Sequence, residues 1–127
     1  MSRVLDASAL LAVLFQEPGR ERVSDAIGDG ASILSVNLSE VITRMLERGM
    51  SEPRIRSILG TVNATVVPFD EDLAYRAALL RSATRPAGLS LGDRACLALA
   101  ERLAVPALTA DRAWGTLQVG VQVEVIR

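Results

Sequence analysis

Four acids, Asp6, Glu40, Asp93 and Asp111, each stand where an apolar run ends or a helix is expected to begin. The 127-residue chain that carries them has no histidine. Carboxylates gathered in one place repel one another and become reluctant to ionise unless a cation holds them. A hard divalent ion with a preference for oxygen resolves that conflict. Elimination points the same way. Without histidine there is no Ser-His-Asp or Cys-His catalysis and no His-bearing zinc site. All 14 basic residues are arginine, which removes Schiff-base and phosphate-loop lysines as well. Cys96 is the lone cysteine, so neither an internal disulfide nor a thiolate zinc site is available. Carboxylates, hydroxyls and arginines remain, a set suited to Mg2+ or Mn2+.

Each acid also has a plainer reading as a helix start. Asp6 follows the expected strand Arg3–Leu5 and precedes an apolar helix, so it is an N-cap candidate in competition with Ser8. Glu40 lies three residues after Asn37, a spacing close to a capping box. On the helix Asp93–Leu103, Arg94, Ala98, Glu101 and Arg102 mark the wet face, and Cys96, Leu99, Ala100 and Leu103 the dry one. Asp93 falls roughly 60° from the dry centre, which is not where a surface carboxylate belongs. Ser90, three residues earlier, would form a box-like cap with it. Asp111 follows the strand Pro106–Thr109 and would cap a short helix Arg112–Leu117, with the Thr109 hydroxyl nearby. Capping accounts for any one of these acids; it accounts less easily for four on one edge.

The elements that must position them alternate. Strands are expected at Arg3–Leu5, Ala31–Leu34, Thr65–Val67 and Pro106–Thr109, and where Val121, Val123 and Val125 alternate with Gln122 and Glu124. Between them, helices are expected at Ala7–Phe15, Glu21–Ile27 and Pro53–Leu59. Leu38, Val41, Ile42, Met45 and Leu46 recur at helical spacing behind Asn37 as a cap, and Asp70-Glu71-Asp72 opens a further helix. Thr84–Gly88 reads as a loop. This order argues for an α/β fold with a mainly parallel sheet covered on both faces. The strands' carboxyl ends then open into one crevice. With 50% apolar residues, the chain reads as a single domain over residues 1–127 with material for a core. A net charge of −1 and a pI near 5.4 are not the profile of a generic nucleic-acid binder. Val4–Phe15 is interrupted by Asp6 and too short to span a bilayer, so a cytoplasmic protein with no membrane association is expected.

Four segments together carry a family likeness. Val4-Leu5-Asp6-Ala7-Ser8-Ala9-Leu10, Asn37-Leu38-Ser39-Glu40, Gly88-Leu89-Ser90-Leu91-Gly92-Asp93-Arg94-Ala95-Cys96-Leu97-Ala98 and Leu108-Thr109-Ala110-Asp111-Arg112-Ala113-Trp114 resemble the successive motifs of PIN-domain ribonucleases. They look most like the small VapC-type toxins of bacterial toxin–antitoxin modules. The resemblance implies a three-layer α/β/α domain and an endoribonuclease that uses one or two Mg2+ or Mn2+ ions. It matches Asp6, Glu40, Asp93 and Asp111 to the family's acidic site, with Ser8 and Thr109 as supporting hydroxyls. It also implies an RNA substrate, a cognate VapB-type antitoxin and a homodimer.

Independently of the family, a carboxylate-held ion lowers the pKa of its water and neutralises charge on a phosphodiester. Arg94, Arg112 and Arg44 are the arginines placed to contact RNA, though each also reads as a solvated residue, and Arg44 as a partner for Glu40. Trp114 and Cys96 read as core residues. The competing class is a non-catalytic regulatory or RNA- or partner-binding domain. A phospho-accepting receiver is disfavoured because the chain lacks an acidic pair after its first strand and has no lysine. A dehalogenase-like phosphatase needs a second acid where Ser8 stands.

Overall fold

Five short strands, every one paired in parallel, form the centre of the computed structural model, which describes residues 2–127. Strand β1 (Arg3–Leu5) leads to α1 (Ala7–Leu14) and α2 (Arg20–Gly28). Then come β2 (Ala31–Leu34), α3 (Ser35–Glu47), α4 (Glu52–Leu59) and β3 (Ala64–Val67). The second half runs through α5 (Glu71–Leu79), α6 (Arg81–Thr84), a 3-10 turn at Arg85–Ala87 and α7 (Leu91–Leu103). Strand β4 (Ala107–Thr109), a 3-10 helix at Arg112–Thr116 and β5 (Val123–Val125) complete it. The sheet order is β3-β2-β1-β4-β5, with Leu5 paired to Ile33 on one side and Leu108 on the other.

That order places a topological switch between β1 and β4. The chain winds outward from β1 to β3, then returns to wind the other way. In such sheets the crevice at the strands' carboxyl ends opens at the switch point, because the flanking connections leave to opposite faces. The two faces separate in sequence by the strand period of two. Leu5, Ala31 and Leu108 pack with Ala9, Ala12, Val23 and Ala26 of α1 and α2. Ile33 extends that layer to Leu10, Val41, Met45 and Ile55. Val4, Leu34 and Ala107 face the opposite layer, built by Leu73 and Ala77 of α5, Ala95 to Ala100 of α7, and Trp114. The result is the expected three-layer α/β/α architecture. Among the described residues, no helix is long and apolar enough to cross a membrane.

Three local expectations need correction. Helix α3 begins at Ser35, directly from β2, so Asn37 is a buried residue inside its first turn rather than its cap. The helix continues straight from the strand with no intervening residue, and Leu34 itself holds the cap position without a side-chain bond. Thr84–Gly88 is not a plain loop, because α6 and the 3-10 turn run through it. On α7, Arg94 and Ala98 are buried, not wet, and Leu103 at the helix end is exposed, not dry. The sheet covers one side of this helix and α5 packs on another, so its middle has no solvent face.

Candidate active site

Asp6 sits at the carboxyl end of β1 and caps α1, and its side chain is almost completely enclosed, at 5% exposure. Its Oδ1 accepts from the Ala9 N–H at 2.8 Å and the Ser8 hydroxyl at 2.7 Å. Its Oδ2 accepts from the Thr109 hydroxyl at 2.5 Å. Those hydroxyls are themselves aimed. Ser8 Oγ accepts from the Ala110 N–H at 2.9 Å, and Thr109 Oγ1 from the Asp111 N–H at 3.0 Å. With a lone pair of each oxygen occupied by a backbone donor, each proton turns to Asp6. The end of β4 is thereby stapled to the end of β1 across the switch point.

Three donors favour the ionised form, but burial outweighs them. Loss of hydration raises the Asp6 carboxyl from 3.8 to about 6, the hydrogen bonds from Thr109, Ser8 and Ala9 oppose the rise, and the nearby Asp93 charge adds to it. The anion is therefore held at a cost that a cation would remove.

Helix starts place Asp93 and Asp111, and the second turn of α3 places Glu40. Asp93 forms a reciprocal capping box with Ser90: its Oδ2 accepts from the Ser90 N–H at 2.9 Å, and its own N–H donates to Ser90 Oγ at 3.2 Å. Asp111 caps the 3-10 helix at Arg112–Thr116, accepting from the Ala113 N–H at 2.9 Å. Glu40, one turn into α3, accepts from Asn37 Nδ2 at 2.9 Å. All four acids line one open cleft of about 580 Å3, together with Ser8, Ser39, Thr43, Arg44 and Glu47. For Asp6, Asp93 and Asp111, capping and facing the cleft are thus not alternatives, whereas Glu40 caps nothing. A helix start at the carboxyl edge of a parallel sheet does both, because its cap residue sits at the helix's positive end and at the crevice rim.

The arginines divide. Arg44 lines the cleft but pairs with Glu47 at 3.5 Å rather than with Glu40. Arg94 is 8% exposed and donates to the Ala77 carbonyl at 2.9 Å, so it clamps α5 to α7 and is not available to RNA. Arg112 lies outside the cleft lining and donates to the Arg127 carbonyl at 3.2 Å. Glu47, Ser39 and Thr43 escaped the sequence reading. Their signal was present: Glu47 follows Glu40 by seven residues and Thr43 follows Ser39 by four, which puts them on the cleft's side of α3. Trp114 and Cys96 are in the core, and burial pushes the Cys96 thiol well above its usual range.

The donor set fits a hard divalent cation in kind: the cleft offers carboxylate and hydroxyl oxygens and no imidazole or thiol. With the side chains as they stand, no three acids among the described residues close on a single point. Each acid is instead engaged with the cap, hydroxyl or amide partners given above. The oxygen chemistry and the shared cleft are what argue for an ion.

The PIN domain family model matches residues 3–118 of the chain. No curated protein matches it in sequence. Among solved structures, a toxin–antitoxin complex from Klebsiella pneumoniae is similar at 22% identity and a TM-score of 0.72, covering 99% of this chain and 98% of that one. VapBC2 from Rickettsia felis, bound to a promoter DNA fragment, is similar at 13% identity and a TM-score of 0.75, with 100% of both chains covered. DNA-bound VapBC from Salmonella typhimurium is similar at 16% identity and 0.75, covering 100% of this chain and 99% of that one. At these identities the structures establish a common fold.

Proposed function

The chain belongs to the PIN domain family, and on that premise we propose that it is a Mg2+- or Mn2+-dependent endoribonuclease of the VapC toxin type. The observation that carries the reading is the convergence of Asp6, Glu40, Asp93 and Asp111 on one cleft at the sheet's switch point. Asp6 and Asp93 are the residues assigned to hold the ion directly, and Glu40 and Asp111 hold it directly or through water. A bound divalent ion supplies charge neutralisation at the scissile phosphodiester and a lowered pKa for attacking water.

The chain's own residues do the rest. Ser8 and Thr109 fix both oxygens of Asp6, so the carboxylate meets its ligand already oriented. Arg44, at the cleft wall, offers a guanidinium to a backbone phosphate in exchange for its exposed pair with Glu47. With no histidine or lysine in the chain, proton transfer falls to carboxylates and water.

The similar structures are toxin–antitoxin complexes, which supports an antitoxin of the VapB type as the partner here; a homodimer is the further expectation of the family resemblance. An apolar groove of about 390 Å3 between α3 and α4, walled by Leu38, Ile42, Leu46, Ile55 and Leu59, supports a helix-in-groove mode of binding. Helix α1 is largely committed to the core and contributes nothing to that groove's walls.

The test is incubation of antitoxin-free protein with total cellular RNA in Mg2+, Mn2+ or EDTA, alongside Asp93→Asn. Discrete fragments that vanish with EDTA and with the variant support the proposal. Intact RNA in every lane, from protein with an unchanged melting temperature, favours the non-catalytic binding domain.

A further inference from the structure

Two features of the cleft wall are costly on their own, and both meet at the Glu40 carboxylate. The first is Asn37, 1% exposed in the first turn of α3. One Nδ2 hydrogen goes to Glu40 Oε1 at 2.9 Å and the other to the Gly92 carbonyl at 3.0 Å. Its Oδ1 is enclosed without a hydrogen-bond partner. An apolar side chain would remove that unmet acceptor but would also take the donor away from Glu40 Oε1 and from the Gly92 carbonyl. The amide is kept for what its two N–H groups hold.

The second feature is Gly92, in the first turn of α7. Its φ is not among the positive values of the chain, so backbone freedom is not the reason for glycine. A Cβ there would lie 2.6 Å from Glu40 Oε2 and 2.8 Å from both Cδ and Oε1. The carboxylate occupies the space that a Cβ would take, and any side chain there would dislodge it. Glycine in a helix is otherwise a poor choice.

We infer that Asn37 and Gly92 form a seat that fixes the Glu40 carboxylate in the cleft, with Asn37 aiming it and Gly92 leaving room for it. The inference rests on the metal-dependent reading above and assigns both as positioning residues of that site. The Asn37 bond to the Gly92 carbonyl also ties α3 to α7, so the seat sets Glu40 on one helix relative to Asp93 on the other. A carboxylate loosened from such a support typically costs its site roughly 10- to 100-fold in metal affinity.

The test is a double-mutant cycle read by Mn2+ affinity, from electron paramagnetic resonance or calorimetry, with melting temperature as the control for folding. Asn37→Leu and Gly92→Ala should each weaken Mn2+ binding by roughly 10-fold or more. In a Glu40→Ala background both should lose their effect, because they act through that carboxylate. Equal losses in the two backgrounds, or a wild-type affinity in either single variant, would overturn the seat while leaving the metal site standing. Wild-type protein that binds no Mn2+ would overturn the nuclease reading and this inference together.

Discussion

Asp6→Asn, compared with wild type in EDTA across pH, isolates the energetic cost of the buried carboxylate. The Asp6 carboxyl lies near 3.8 in the unfolded chain and at about 6 in the folded one, because burial outweighs its three hydrogen bonds. Between those values the folded state binds more protons than the unfolded state, so stability falls as pH rises. Above the folded value the whole penalty is present, about 3 kcal/mol. Acidifying from pH 7 to pH 5 should relieve about 1.3 kcal/mol of it. In a domain of this length that corresponds to roughly 3–6 °C in melting temperature. The assay is thermal unfolding of both proteins at pH 5, 6 and 7, read as wild type minus variant so that other acids cancel. Wild type should gain on the variant as pH falls, and added Mn2+ should abolish the trend by neutralising the anion. A difference that is flat with pH, or wild type losing ground on acidification, would refute the claim that burial dominates over Ser8, Thr109 and Ala9.

Thr109→Val removes the hydroxyl that donates to Asp6 Oδ2. In urea unfolding it should cost about 1.5–3 kcal/mol at pH 7, and less at pH 5 where the carboxyl is taking up its proton. Arg94→Met should leave RNA affinity unchanged, since Arg94 is enclosed against the Ala77 carbonyl. Arg44→Ala should weaken RNA binding and lower the salt slope by about 1, both variants being measured in an Asp93→Asn background. Gly19→Ala should destabilise by about 1–3 kcal/mol in the same urea assay. That position has φ +92, and a Cβ would meet the Ile126 carbonyl at 2.6 Å.

The strands that carry the site were legible because parallel strands are buried on both faces. Arg3–Leu5 and Ala31–Leu34 therefore read as short, mainly apolar runs and reappear with those bounds. The acids were legible for a related reason. A polar residue that ends such a run sits at the crevice by topology, and Asp6 and Asp111 flank the junction of β1 with β4. What escaped depends on a third dimension. A helical wheel gives α7 one dry face, yet a second layer encloses it, so Arg94 was assigned to solvent and is buried. Asn37 looked like a cap because caps and buried amides share a residue type; only its contacts with Glu40 and Gly92 distinguish them. Arg112 adjoins Asp111 in sequence but turns to the chain's end, a choice set by where Arg127 lies.

The central claim is that Asp6, Glu40, Asp93 and Asp111 act together on one divalent ion. Anomalous diffraction from crystals soaked in Mn2+ tests it most directly. The account predicts a manganese peak in the cleft, at ligand distance from Asp6 and Asp93 and with Glu40 and Asp111 around it. Crystals saturated with Mn2+ that bind the ion elsewhere, while the same protein still cleaves RNA in solution, would contradict it.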